Sequence, residues 1–335
     1  MTTALETPVA PVEGAANAAP PMLWAEGLTK SYARTRALDG LSLHVPRGSI
    51  YGFVGPNGAG KTTTMRILAT LLAPDSGEAY VDGRPLTSNP RGVRAKIGYM
   101  PDFFGVYDNL TVSEYLDFYA AAYGVPAAEA RRAIPELLEL VDLGPKRADF
   151  VEGLSRGMKQ RLGLARCLVH NPEVLLLDEP ASGMDPRARY EMREIVKELQ
   201  RLGKTVLVSS HILLELAEMC SHIGIIQGGK QLREGPVGAI LGSLRGARAV
   251  RVGVMGDAAN RETAAAVLAR QPGVGEVQVV GDDLEATFTG DDAATAALLR
   301  ALVDAAIPVL HFAPAASSLE EIFMQLTEGS EGAEG

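Results

Sequence analysis

LSRGMKQRLGLARCLVHNPEVLLLDEP, residues 154–180, is the stretch on which the reading of this chain turns. Its first half is a serine-glycine turn opening a basic amphipathic helix. Its second half is an unbroken apolar run, VLLL, closed by two adjacent carboxylates, Asp178 and Glu179, and by Pro180. A strand covered on both faces reads as a continuous hydrophobic run. An acidic pair at the C-terminal mouth of such a strand lies where open α/β sheets place their chemistry. The stretch predicts a parallel sheet with a charged edge, preceded by a helix whose first turn carries Ser155, Arg156 and Gly157.

The flanking sequence fills in that sheet. Downstream, a helix is expected over about 186–202, followed by the apolar strand TVLVSS at 205–210, which ends at His211. The segment HIGIIQGGKQLREG reads as a hairpin, and a helix near 235–243 closes the unit. Upstream, LSLHV at 41–45, SIYGFV at 49–54 and IGYM at 97–100 read as strands, KTTTMRILATLL as a helix, and EAYVDGRPL carries an Asp-Gly turn. From 111 to about 170 the periodicity becomes helical, with apolar residues at i, i+3 and i+4. Strands alternating with helices imply a largely parallel sheet, and the helical block reads as an insertion between two of its strands. GSLRGAR at 242–248 is a plausible linker. Beyond it, four strand-like segments and helices near 260–270 and 291–304 suggest a small α+β unit.

A second motif supplies a substrate class. GPNGAGKTT, residues 55–63, follows a strand and opens a helix, which is the context a phosphate-binding loop requires. In the run Gly55, Pro56, Asn57, Gly58, Ala59 and Gly60, the glycines would let backbone N–H groups point at phosphate oxygens, aided by the helix N-terminus. Lys61 offers a cation to the outer phosphates, Thr62 a hydroxyl to Mg²⁺, and Thr63 completes the turn. Asp178 is then a candidate Mg²⁺ ligand and Glu179 a candidate base for the attacking water. A helix cap or an ion pair at a strand end is the plainer reading of the two carboxylates. His211 sits where a third apolar strand reaches the same crevice, although a lone histidine is more often structural.

With these residues in hand, residues 23 to about 243 resemble the ATP-binding subunit of an ABC transporter. GPNGAGKTT resembles that family's Walker A motif and VLLLDEP its Walker B motif, which makes Glu179 the catalytic carboxylate by resemblance. LSRGMKQRL resembles the signature, SGMDP at 182–186 the D-loop with Asp185, and SSHIL the segment of the switch histidine. Tyr32 matches the aromatic that stacks on adenine, with an ordinary strand aromatic as the alternative. The resemblance implies ATP and Mg²⁺ as ligands and a mostly parallel P-loop NTPase sheet. It also implies an antiparallel β subdomain and an inserted helical subdomain at about 111–170. Two copies would sandwich two ATP molecules head to tail, with Ser155, Arg156 and Gly157 facing the nucleotide of the partner copy.

Two departures stand out. The family's LSGGQ is LSRGM here, so Arg156 adds positive charge and Met158 removes a side-chain donor. Asp102 stands where the family carries glutamine, which implies contact with the metal through water. Phe103, Phe104 and Tyr107 beside it are candidates for contacts with a membrane subunit or for core packing. The ending ASSLEEIFMQLTEG, within the unit at 247–328, resembles the accessory domain of ABC-2-type exporters, which adds export as an expected direction.

Composition narrows the alternatives. Over 335 residues the chain is 47% apolar and 22% charged, ordinary for a globular protein large enough for two cores. From Gly246 onward five Arg/Lys face fourteen Asp/Glu, which accounts for the whole net charge of −9. An acidic chain without a basic stripe fits nucleic acid poorly. Cys167 and Cys220 form no metal spacing or disulfide framework. No apolar run is long enough to cross a membrane, and residues 1–22 read as an Ala/Pro-rich leader rather than a signal peptide. Residues 329–335 read as a tail. The expectation is an ATPase at the cytoplasmic face of the membrane that drives a separate transmembrane permease. A soluble ABC ATPase of repair or translation is the competing reading, weakened by the absence of a coiled-coil insertion or second cassette. A P-loop kinase, the third, has no use for LSRGM or SGMDP.

Overall fold

The computed structural model describes residues 20–33, 35–102, 105, 109–244, 248–256 and 258–315. Phe103, Phe104, Tyr107, most of the leader and the ASSLEEIFMQLTEG ending lie outside the described residues. In chain order the first part holds β1 (Leu23–Tyr32), β2 (Thr35–Val45), β3 (Ile50–Val54), α1 (Lys61–Leu68), β4 (Ser76–Val81), β5 (Arg84–Pro85), α2 (Pro90–Arg94) and β6 (Ile97–Met100). Three helices follow, α3 (Val112–Ala122), α4 (Ala127–Leu140) and α5 (Arg156–Leu168). Then come β7 (Val174–Leu177), α6 (Pro186–Arg201), β8 (Thr205–Ser210), α7 (Leu213–Ala217), β9 (His222–Gln227), β10 (Lys230–Pro236) and α8 (Val237–Leu244).

Six of these strands form one sheet in the order β10-β9-β3-β8-β7-β6. All neighbours are parallel except β10, which returns antiparallel on β9. The apolar runs behave as expected for strands covered twice. In β7, Leu175 and Leu177 join one core cluster while Val174 and Leu176 join the other. Val206 and Val208 of β8 divide from Leu207 in the same way. The period of two in a strand sends alternate side chains to opposite layers. One layer contains the helices α3 to α7. The other holds α1 and a second sheet, antiparallel, in the order β2-β1-β4-β5.

Turn chemistry sets several of the joints. Asp82 and Gly83 both have positive φ, 50° and 74°, the signature of the tight turn that matches strand twist, and they join β4 to β5. Helix α1 is shorter than the apolar pattern 61–72 predicts. Thr70 adopts φ 59°, and Thr70 and Leu71 donate their N–H groups to Ile67 and Arg66, which closes the helix in a Schellman-type cap. Leu71 is left 58% exposed by this ending. Helices α3 to α5 lie in the chain between the sheet neighbours β6 and β7, as expected of an insertion. Yet α5 packs on β6 as well as on α3 and α4, so it belongs to both the sheet layer and the helical block.

The second part contains β11 (Arg248–Val254), α9 (Ala258–Ala269), β12 (Val274–Val280), β13 (Asp283–Phe288), α10 (Asp292–Asp304) and β14 (Val309–Ala315). Its four strands form an antiparallel sheet in the order β12-β13-β11-β14. That chain order is a split βαβ arrangement. Val250, Val252, Leu284, Ala286 and Phe288 line one face of the sheet and pack with Ala264, Leu268, Leu298 and Leu302 of the two helices.

Candidate active site

The C-terminal ends of β3, β8, β7 and β6 lie side by side, and each delivers part of the site. From β3 the chain enters the glycine-rich loop; from β7 come Asp178 and Glu179; from β8 comes His211; two residues past β6 comes Asp102. Gly60 shows why the loop takes its shape. Its φ is 108°, and a Cβ there would lie 2.6 Å from the Ala37 carbonyl oxygen of β2. The glycine is required by packing behind the loop, a reason the motif alone does not reveal.

Lys61 begins α1 and is 6% exposed. Its ammonium donates to the carbonyls of Gly55 at 2.6 Å and Pro56 at 3.2 Å. It also lies 3.4 Å from Glu179 Oε1, an ion pair without hydrogen-bond geometry. The second Glu179 oxygen, Oε2, is 3.0 Å from His211 Nδ1. One carboxylate is thus held between a buried ammonium and an imidazole that is about half exposed. Glu179 adopts φ 49°, a left-handed conformation unusual for a residue with a side chain. Backbone outliers of this kind cluster at functional sites.

Asp178 is fully buried. Its Oδ1 accepts a 2.7 Å hydrogen bond from the Ser209 hydroxyl, and the Thr62 hydroxyl stands beside the carboxylate. Burial pushes the carboxyl above the usual carboxylate range. The charges of Asp102 and Glu179 push the same way, and the hydroxyls of Ser209 and Thr62 pull it back. Its other oxygen, Oδ2, is buried with no hydrogen-bond partner. A buried carboxylate oxygen without a partner, a threonine hydroxyl beside it and two further carboxylates nearby make a site short of positive charge. That donor set suits a hard cation of the Mg²⁺ type, which binds one or two carboxylates plus substrate phosphates and keeps several waters. Among the described residues no three His, Cys, Asp or Glu side chains are grouped so as to hold a metal ion by themselves.

The loop after Glu179 is tied down at both ends. Ser182 N–H donates to the Glu179 carbonyl, and Asp185 caps α6 by accepting from Ala188 N–H at 2.9 Å. Arg189 donates to the Met184 carbonyl and pairs with Glu215 of α7 at 2.7 Å, linking this loop to the segment after His211. A cavity of about 210 Å³ opens between the loop and α7, lined by Glu179, Ser182 and His211 among others.

The first turn of α5 is built differently. Ser155 is the N-cap, its hydroxyl accepting from Met158 N–H at 3.3 Å, and both Ser155 and Arg156 are exposed. The Arg156 guanidinium covers Gly183, whose φ is 67°, so closely that a Cβ there would lie 2.3 Å from Cζ. Gly157 faces Ala188 of α6. Tyr32 ends β1 and is 43% exposed, paired with Thr35 at the start of the strand that abuts Gly60.

The residues expected from the sequence to act together, Lys61, Thr62, Asp178, Glu179, His211 and Asp102, do converge. Sequence reasoning missed Ser209, Gly183 and the link from Arg189 to Glu215. A signal for the first was present: two serines at the end of an otherwise apolar buried strand call for an explanation.

A family model described as ABC transporter matches residues 38–182, and one described as ATP-binding protein DrrA1-3-like, C-terminal domain, matches residues 244–327. The chain is similar to the Nod factor export ATP-binding protein I of Paraburkholderia xenovorans, 35% identical over 298 residues, covering 89% of this chain and 94% of that protein. It is 38% identical over 304 residues to the daunorubicin/doxorubicin resistance ATP-binding protein DrrA of Streptomyces peucetius, covering 90% and 91%. A solved dimeric ATP-binding cassette in a post-hydrolysis state, bound to ADP and Pi, resembles it with TM-score 0.59 and 26% identity over 64% of this chain and 99% of that one. The matched residues 38–182 take in the phosphate loop and the carboxylate strand, and the chain belongs to the ABC transporter family as one of its ATP-hydrolysing, ATP-binding subunits.

Proposed function

We propose that this chain is the motor subunit of an exporter, hydrolysing ATP as a homodimer at the cytoplasmic face of a membrane and driving a separate transmembrane subunit. The observation that carries the reading is the position of Glu179, held between Lys61 and His211 at the mouth of the parallel sheet beside the buried Asp178. Among the described residues no helix is long and apolar enough to cross a membrane. Export is supported by the relatives named for Nod factor export and drug resistance. Residues 23–243 would form the ATP-binding unit and 247–328 the accessory unit.

In this reading ATP enters with its adenine on Tyr32 and its phosphates in the turn from Gly55 to Gly60 and on to Thr63. Lys61 exchanges the Gly55 and Pro56 carbonyls for the outer phosphates, where its charge opposes that of the transition state. Thr62 and Asp178 would hold Mg²⁺, with Asp102 reaching it through water; bound there, the ion would neutralise charge on the phosphates. Glu179 accepts a proton from the attacking water, whose oxygen bonds the γ-phosphorus as the bond to the ADP oxygen breaks. His211 donates to the γ-phosphate and orients Glu179. Ser155, Arg156 and Gly157 present a helix N-terminus and a guanidinium to the γ-phosphate held by the partner copy, and Asp185 fixes the loop between the two sites.

Glu179→Gln tests the central role. Steady-state hydrolysis is expected to fall by about 10²–10⁴-fold, the usual worth of a general base. ATP should still bind and should trap a dimer visible by size-exclusion chromatography. Hydrolysis at the wild-type rate would remove Glu179 from the role of base.

A further inference from the structure

Ser209 is the last but one residue of β8, between β3 and β7, and has no exposure to solvent. Val206, Leu207 and Val208 before it are the apolar residues such a strand calls for. A hydroxyl buried in that run is costly unless it is bonded. Ser209 bonds twice, and both bonds go to the reacting pair. Its hydroxyl donates to Asp178 Oδ1 at 2.7 Å and accepts from the Glu179 backbone N–H at 3.0 Å.

We propose that Ser209 is a positioning residue for both carboxylates, fixing which Asp178 oxygen is free for the metal and holding the Glu179 backbone in its left-handed conformation. The inference rests on the roles given above to Asp178 and Glu179 and adds the group that sets their geometry. A hydroxyl has a single proton to donate, and here it commits Oδ1, which leaves Oδ2 buried and open. Without that bond the carboxylate has no reason to keep one oxygen aimed outward. The second bond acts on the backbone. A glutamate at φ 49° persists only where its surroundings over-determine it. The Ser209 oxygen supplies one such constraint at the Glu179 N–H, one bond from the Cα that carries the side chain meeting Lys61 and His211. Because β7 and β8 are neighbouring parallel strands, Ser209, still within β8, pins the two residues that directly follow β7 to a rigid strand.

The test uses the full chain with Ser209→Ala, Ser209→Thr and Ser209→Val. Threonine and valine have nearly the same shape and differ in the hydroxyl. Three quantities are read: kcat for ATP, nucleotide affinity without metal, and Mn²⁺ affinity in the presence of ADP by electron paramagnetic resonance. Ser209→Ala and Ser209→Val should each lose about ten-fold or more in kcat and in Mn²⁺ affinity, the worth of a hydrogen bond to a charged group. Metal-free nucleotide affinity should be kept, and Ser209→Thr should recover both losses. Equal behaviour of the threonine and valine variants, impaired or not, overturns the proposal, because packing alone then explains the site. Loss of metal-free nucleotide affinity along with Mn²⁺ in the alanine and valine variants also overturns it. Asp178→Asn separates the two readings. If that variant binds Mn²⁺ as the wild type does, the metal site falls and Ser209's role with it. If it loses Mn²⁺ while Ser209→Val keeps it, only the role of Ser209 falls.

Discussion

The mouth of the parallel sheet and the first turn of α5 both offer positive charge and hydrogen-bond donors, but the sheet mouth turns them inward and α5 turns them out. At the mouth, Lys61 and Asp178 are buried and Glu179 is held by Lys61, His211 and the Ser209 hydroxyl. At α5, Ser155 and Arg156 are exposed. The serine caps its own helix, and the arginine lies over Gly183. The contrast teaches that one region is preorganised within a single chain. The other is a cationic helix N-terminus left facing solvent, which in the proposed head-to-tail dimer would meet the anion held by a second molecule.

The strongest way to break this comparison is to separate the two regions between chains. Lys61→Ala should lower hydrolysis at least about a hundred-fold by removing a preorganised cation, and Ser155→Ala should impair it less. Mixing the two variants should restore a measurable fraction of wild-type hydrolysis, because each mixed dimer contains one site with both halves intact. No recovery across mixing ratios would mean that α5 serves the phosphate of its own chain.

A smaller effect tests how α5 is joined to the loop after Glu179. Gly183→Ala meets both a positive φ and the Arg156 guanidinium. It should cost about 1–3 kcal/mol of stability, the range for a strained backbone position, read as a lower midpoint in urea. Arg156→Ala in the same chain should return only the steric share, leaving the backbone strain. If Gly183→Ala melts with the wild type, the close approach of Arg156 is not a constraint.

The smallest effect lies away from both regions, where the antiparallel sheet meets the parallel one. Glu234 of β10 accepts from His44 N–H at 2.8 Å and from the Tyr51 hydroxyl at 2.8 Å, and its second oxygen lies 3.4 Å from His44 Nδ1. The side-chain bond to Glu234 raises His44 above its ordinary 6.5, against the effect of burial. Burial would raise Glu234, but the bonds from His44 and Tyr51 outweigh it and hold the carboxyl low. A raised histidine contributes stability that is complete below its unfolded value and lost as pH rises through its folded one. The lowered glutamate adds stability lost only as pH falls through its own folded value. His44→Gln should therefore lower the melting temperature by a few degrees at mildly acidic pH and by less at alkaline pH, in keeping with a half-exposed pair. A pH-independent difference would assign the effect to packing.

Much of the site was legible because its residues are fixed by local rules. VLLL followed by two carboxylates, TVLVSS followed by His211, and a glycine-rich turn opening a helix each name a strand end or a helix start. Parallel strands then bring those ends to one edge. The C-terminal unit was legible as strands and helices, but not as the order β12-β13-β11-β14, since periodicity gives faces and not neighbours. The end of α1 was misjudged for a related reason. The apolar pattern continues to Leu72, while Thr70 turns left-handed and stops the helix at Leu68.

The sequence by itself determined the class of chemistry, because phosphate binding and water activation demand particular residue types at particular ends of elements. It also determined the buried parallel strands, whose apolar runs have no other stable environment. The tertiary structure alone decided which atoms meet: Ser209 with Asp178 and Glu179, Arg156 with Gly183, and Gly60 with the carbonyl of Ala37. These contacts join segments 23 to 31 positions apart. A hydrogen bond or a close approach depends on tenths of an ångström between such segments, and no local pattern carries that distance.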